Sequence, residues 1–347
     1  MDQTMLNGIC FTIPLLVAMF GQVEETPDPN LKREEKGRAT LGGTQYWTDH
    51  LVCHDWRIQR NVKFGQFRLL KPTNRVAQTG TYENCRQAFD WVRGQPDFPP
   101  IPATVLVSVH GLGRTRNSMS AIGKYVSEKG DYGWINFGYA STRTEITDNA
   151  QGLRNVLDEL ASLKREQDAK VESTDESQRG IEFHFIAHSL GNIIIRSVLS
   201  ERQRNDPGRQ RTAWRVGRIV MLAPPNQGSA MANLLKKSNA FRLIAGSSGK
   251  DLGAEWDELR DRLIIPKCEF AIIAGGKSDK KGLNPLLTGD DDLIVRVEET
   301  KLSGAADFAV IPSVHTYLMD RSESKEMALR FFQMGFLKTA DERKRIP

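Results

Sequence analysis

Residues 182–196 read Glu-Phe-His-Phe-Ile-Ala-His-Ser-Leu-Gly-Asn-Ile-Ile-Ile-Arg. An apolar, strand-like run ends at Ala187 and His188, Ser189 follows, and a helix-like segment opens at Leu190 and Gly191. This is a small-x-Ser-x-Gly pattern between a buried strand and a helix, the pattern of a nucleophile elbow. The residue types have a physical reason. A serine on so tight a turn adopts strained backbone angles that push its hydroxyl into open space. The positions two before and two after it must be small, because strand and helix nearly touch there. Ala187 stands where Gly is more usual and adds only a methyl group.

Working outward, the chain from residue 103 alternates strands with helices, the pattern of a mostly parallel sheet covered on both faces. Strands are expected at 103–109, 133–139, 182–187, 217–222, 268–273 and 308–311, and helices at 117–128, 150–164, 191–200 and 324–337. In the second of these helices Leu153, Val156, Leu157, Leu160 and Leu163 share one face. Residues 226–266 read as helix-rich and suit a cap over the site. Upstream, Trp56–Leu70 reads as a β-hairpin turning at Lys63-Phe64-Gly65-Gln66, a short helix is expected near Tyr82–Val92, and Gln95–Pro102 is a Pro-rich connector. One α/β domain over 101–340, with a lead-in over 41–100, accounts for this pattern.

The remaining features bound the class. Hydrophobic content of 39% and charged content of 26% over 347 residues suit a soluble globular chain with a sizeable core. A net charge of +5 with basic residues spread out, and no aromatic interleaving in the denser Arg202–Arg218 stretch, argues against a nucleic-acid partner. Cys10, Cys53, Cys85 and Cys268 lack CxxC or metal-ligand spacing. Cys53 and Cys85 either stay as buried thiols or pair in an exported protein. Ile9–Phe20 is an uncharged apolar run inside the N-terminal segment 1–21, followed by a charged, Pro-containing tether over 22–40. It reads as a signal sequence or an uncleaved anchor, with a buried core segment as the other reading. The first two imply export or the cell envelope with membrane association, the third a cytoplasmic protein.

A serine nucleophile needs a base, an orienting acid and donors for an oxyanion. The strand at 103–109 ends in His110-Gly111-Leu112-Gly113, a turn that can present the Leu112 N–H. The N–H of Leu190, directly after the serine, would be the second donor. Gly111 and Gly113 serve equally as plain turn glycines. Of the six histidines, His50 and His54 precede the sheet, and His184 lies within the serine's strand. His188 points away from the serine by strand alternation, and His110 sits in the oxyanion turn. His315, in Pro312-Ser313-Val314-His315-Thr316, follows the last strand and is the candidate base. Between them, Gly289-Asp290-Asp291-Asp292-Leu293-Ile294-Val295 is the one dense acidic cluster. It is a solvated loop, a weak cation site or the source of the acid. Asp292, against the apolar Leu293–Val295, is the first candidate, and Asp291 the alternative.

Taken together, Val109–Gly113, Ala187–Gly191, Leu222-Ala223-Pro224-Pro225-Asn226-Gln227-Gly228-Ser229, Asp292–Glu298 and His315-Thr316 resemble the α/β-hydrolase superfamily. Within it they look like the serine lipase/esterase branch of bacterial triacylglycerol lipases and inositol-deacylase lipases. The resemblance spans roughly 100–335. It implies an α/β-hydrolase fold and hydrolysis of a lipid or other small apolar acyl ester through an acyl-enzyme, with no cofactor and no metal. In such lipases the acid opens an Asp-Gly-x-Val stretch, which aligns on Asp292 with Leu293 in place of the Gly. Thioester hydrolysis and acyl transfer would use the same residues. A membrane-tethered binding protein on a hydrolase scaffold is the reading from another class.

Overall fold

The computed structural model describes residues 44–170, 180–205, 214–230, 256–279 and 281–347. The N-terminal apolar segment, the tether and most of the expected cap lie outside the described residues.

Six parallel strands form the central sheet: β5 (Thr104–Val109), β6 (Gly133–Phe137), β7 (Ile181–His188), β8 (Trp214–Leu222), β9 (Phe270–Gly276) and β10 (Asp307–Pro312). They run in the order β10-β9-β8-β7-β5-β6. β7, which delivers Ser189, is therefore central and pairs with β5 from Thr104↔Glu182 to Val109↔Ala187. Such strands read as nearly unbroken apolar runs because both faces are covered.

The two faces separate by strand alternation. On one, Val105, Val107, Phe183, Phe185, Ile219, Met221 and Ile272 meet the helices α3 (Ile146–Asp168) and α4 (Leu190–Asn205). On the other, Leu106, Ile186, Val220, Ala271 and Ile273 meet α2 (Ser120–Gly130) and the C-terminal helix Ser322–Met334. This is the α/β-hydrolase arrangement, a mostly parallel sheet with helices on both faces. The element ends move by a few residues. The helix at 150–164 begins at Ile146, where Glu145 enters in extended backbone, and ends at Asp168.

The lead-in is larger than a hairpin. β1 (Trp47–Cys53), β2 (Trp56–Asn61), β3 (Phe67–Leu70) and β4 (Val76–Gly80) form a four-stranded antiparallel sheet in chain order. The turn between β2 and β3 holds the expected Lys63–Gly65, with Gly65 N–H bonded to Asn61 O at 2.8 Å. Helix α1 (Tyr82–Arg93) follows, capped by Thr81 and Asn84. Leu51, Val52, Ile58, Leu69 and Phe89 belong to the same buried cluster as α3 and α4, so this sheet shares the main core. Asp49 N–H donates to Gly138 O at 2.9 Å, bringing β1 to the end of β6. Cys53 and Cys85 are buried free thiols, and burial pushes the Cys53 thiol up to about 12. Among the described residues, no helix is long and apolar enough to cross a membrane.

Candidate active site

Ser189 sits between β7 and α4 with φ of 52°, a left-handed conformation unusual for any residue but Gly. Its own N–H bonds to Leu222 O at 2.9 Å, and the Asn192 side chain donates to Ser189 O at 3.0 Å, so both sides of the turn are held. The two glycines nearby are required by contact. A Cβ on Gly191 would lie 2.6 Å from Val109 O and 2.7 Å from His110 O. A Cβ on Gly111 would lie 2.9 Å from His188 Nδ1 and 3.1 Å from Ser189 Cβ. The turn after β5 is therefore pressed against the serine, where donors for an oxyanion would have to be. Neither the Leu112 N–H nor the Leu190 N–H has an acceptor among the described residues. Leu190 also opens α4, whose N-terminus favours negative charge.

His315 lies at the start of a 3-10 turn just after β10 and is buried. Its Nδ1 is 2.7 Å from Asp292 Oδ2, and its N–H donates to Asp292 O at 2.8 Å. Asp292 is fully buried, and its Oδ1 accepts from Ile294 N–H at 3.1 Å and Val295 N–H at 2.8 Å. A carboxylate acceptor opposite Nδ1 keeps the proton there and leaves Nε2 as the free base.

Asp291, the alternative acid, does not meet His315. It is buried in its own loop, where Oδ1 accepts from Asn284 N–H and Leu293 N–H while Oδ2 has no partner among the described residues. Burial raises its pKa, with the charge of Asp292 adding to the effect. Leu293 has φ of 87°, so the chain turns sharply there, at the position where the Asp-Gly-x-Val pattern has Gly.

Three groups that build this site were not legible as site residues. His188 Nε2 is 3.0 Å from the carbonyl O of His315, with the rings 4.6 Å apart. Because a carbonyl only accepts, that nitrogen carries the proton. Burial, and then the proximity of His315 and Arg114, holds His188 well below the usual imidazole range. Arg114 donates to Thr316 O at 3.3 Å, tying the turn after β5 to the His315 loop. Gln45, just before β1, donates to Arg114 O at 2.8 Å and accepts from Ser141 Oγ at 3.2 Å. The lead-in therefore braces the turn after β5. A sequence signal existed only for His188, in its adjacency to the serine.

The other histidines are occupied elsewhere. His184 packs between Tyr132 and Phe332 and accepts from Arg218 N–H at 2.8 Å, and His110 stacks on Tyr139 with ring centroids 4.1 Å apart. The 222–229 turn abuts the short helix Val297–Thr300 that follows the 289–295 loop: Gln227 N–H reaches Glu299 O at 3.0 Å, and the Asn226 side chain reaches Thr300 O at 2.8 Å. Among the described residues no group of His, Cys, Asp and Glu is arranged to hold a metal ion.

No protein-family model and no curated protein matches this sequence. Solved structures it is similar to are lipases, phospholipases and esterases. Against mature lipase BlEst2 of Bacillus licheniformis, identity is 19% and the TM-score 0.46, over 70% of this chain and 96% of that one. Against phospholipase PlaB of Legionella pneumophila, identity is 17% and the TM-score 0.48, over 69% of this chain and 60% of that one. Against an arylesterase, identity is 11% and the TM-score 0.41, over 92% and 89%.

Proposed function

We propose that this chain is a serine-dependent carboxylic ester hydrolase acting on a lipid or other apolar acyl ester. The observation that carries the reading is the contact of His315 Nδ1 with Asp292 Oδ2 at 2.7 Å, on a loop whose backbone is bonded to the residue before Ser189. Ser189 Oγ attacks the ester carbonyl while His315 Nε2 takes its proton. Asp292 orients the imidazole and stabilises its charged form. The N–H groups of Leu112 and Leu190 receive the oxyanion, at a helix N-terminus that favours it. Collapse passes the proton to the leaving alcohol and leaves an acyl-serine. Water, deprotonated by the same imidazole, then releases the acid.

Thioester cleavage and acyl transfer to another acceptor need no other residues. The preference for a lipid ester rests on the resemblance of the sequence motifs and on the apolar run Ile9–Phe20, through which we place the protein at a membrane or in the cell envelope. If full-length protein and a form starting near Thr40 both remain in the cytosol on fractionation, that location is wrong.

The deciding experiment is hydrolysis of p-nitrophenyl esters of short and long acyl chains by wild type and Ser189→Ala, with fluorophosphonate labelling alongside. Activity and label in wild type, both lost in Ser189→Ala, are expected. No turnover and no label in the wild type would overturn the reading in favour of a non-catalytic binding protein.

A further inference from the structure

Behind the oxyanion turn, on the side of the lead-in sheet, lies a cavity of about 160 Å³. Trp47, Gln59, Arg68, Asn74, His110 and Arg116 are among its lining residues. It has room for several waters or one small ion, since a water occupies about 30 Å³ of liquid.

The charges around it do not balance. Three guanidiniums gather here with one fully buried carboxylate, Asp49. Asp49 is already committed: Oδ2 accepts from Arg57 Nη1 and Gly138 N–H, each at 2.7 Å, and Oδ1 from Gln59 Nε2 at 2.7 Å. The one rim carboxylate in contact, Asp55, also goes to Arg57, at 3.0 Å. Arg68 and Arg116 thus form no ion pair among the described residues. Arg68 is buried, stacked 3.9 Å over the Trp47 ring, and donates Nε and Nη2 to the single oxygen Gln59 Oε1. Its Nη1 has no acceptor among the described residues. Arg116 donates Nη2 to Asn74 Oδ1, with Nε and Nη1 likewise unmatched there. Burial lowers both guanidinium pKa values, that of Arg68 to about 10; a guanidinium stays charged at neutral pH. Arg68, buried and without a counter-charge, carries a desolvation cost, and an anion between it and the half-buried Arg116 relieves it.

The third wall narrows the anion's chemistry. His110 Nδ1 is 2.9 Å from Gly111 O and so carries the ring proton, leaving Nε2 an acceptor. That nitrogen is buried and has no partner among the described residues. An acceptor beside two forks of donors suits an oxyanion that keeps one O–H. Hydrogen phosphate keeps that group at neutral pH, as does the singly charged form of a phosphomonoester, and sulfate does not.

We propose that this cavity binds a protonated phosphate oxyanion, held by Arg68 and Arg116 and donating its P–O–H to Nε2 of His110. The site spans both ends of the turn that carries Leu112, from His110 to Arg116, and it does not depend on the hydrolase reading.

The test is calorimetric titration of inorganic phosphate, then sulfate, into full-length protein at constant ionic strength, repeated with Arg116→Met and Arg68→Gln. Circular dichroism verifies that each variant is folded. Phosphate is expected to bind about tenfold or more tightly than sulfate, and each substitution to weaken it by a similar factor, the worth of one charged hydrogen bond. No phosphate heat, equal affinity for sulfate, or full affinity in a folded Arg116→Met would overturn the proposal. A further pair of assays identifies the source of the group. Phosphate that competes with ester hydrolysis, with Arg116→Met raising KM only for acyl esters bearing a phosphomonoester, marks a substrate subsite. Phosphate that binds without competing marks a site for the free ion. Both outcomes support the site, and the binding heat reports on it even if the chain hydrolyses nothing.

Discussion

The imidazole of His188 is bonded through Nε2 to the carbonyl oxygen of His315 at 3.0 Å. The residue before the serine thus holds the backbone of the residue that carries the base, and it bridges β7 and the loop after β10 directly. Its low pKa keeps it a neutral donor over the working pH range. His188→Phe deletes that donor, and a loss of about tenfold in kcat with KM little changed is expected, the cost of a misplaced base. His188→Gln, which can still donate, should recover part of it. Equal losses in both variants, tracking a common fall in Tm, would reduce His188 to a packing role.

The acid can be assigned by a pair of isosteric changes. Asp292→Asn leaves the imidazole without its carboxylate and should lower kcat by about 10⁴-fold. Asp291→Asn should stay within about tenfold of wild type, because Asp291 bonds only within its own loop. Steady-state kinetics on one chromogenic ester decides it, and the reverse order would reassign the acid.

Leu293 pays a conformational cost at φ of 87°. Leu293→Val puts a β-branched side chain there and should destabilise the fold by about 1–3 kcal/mol, whereas Leu293→Gly should keep both activity and Tm near wild type. Thermal unfolding of the two variants side by side checks this. A Val variant as stable as the Gly variant would argue that the loop relaxes to another conformation.

Gln45 reaches the oxyanion turn through Arg114 O. Gln45→Ala should lower kcat by about two- to tenfold, the range of one neutral hydrogen bond, while leaving KM close to its wild-type value. Single-turnover acylation is the measurement, since only the acyl-transfer steps use that turn. Unchanged acylation would separate the lead-in sheet from catalysis.

Acid should destabilise the protein earlier than carboxylate protonation alone would. Burial lowers the His110 imidazole from 6.5 to about 4, with His188 shifted the same way. Between these values the unfolded chain binds a proton that the folded chain refuses. Stability therefore falls as pH drops from about 6.5 towards 4 and levels off for this group below that. The loss for His110 is of order 1.4 kcal/mol per pH unit across the window. Tm measured from pH 7 to 4 on Ser189→Ala should show a slope at least this steep, and His110→Asn should reduce it by the His110 share, leaving that of the other buried imidazoles. A Tm that holds steady over that window would contradict the burial of these imidazoles.

What the sequence determined by itself is what local rules govern. The strands from residue 103 onward were legible because both faces of a parallel sheet are buried, which leaves continuous apolar runs. The elbow was legible because the small residues, the strained serine and the helix start lie within five positions. The His315 assignment came from chain order. The tertiary structure decided the rest, which depends on side chains brought together across long separations. His188 and His315 are 127 positions apart, and Gln45 and Arg114 are 69 apart. The hairpin grew to a four-stranded sheet because β1 gains a partner strand and the core under α3 and α4, while the mostly exposed β4 is held by pairing with β3, and local alternation specifies neither. That Asp292 meets His315 while Asp291 bonds to Asn284 and Leu293 depends on how the whole loop folds back against the turn after β10, which no periodicity encodes.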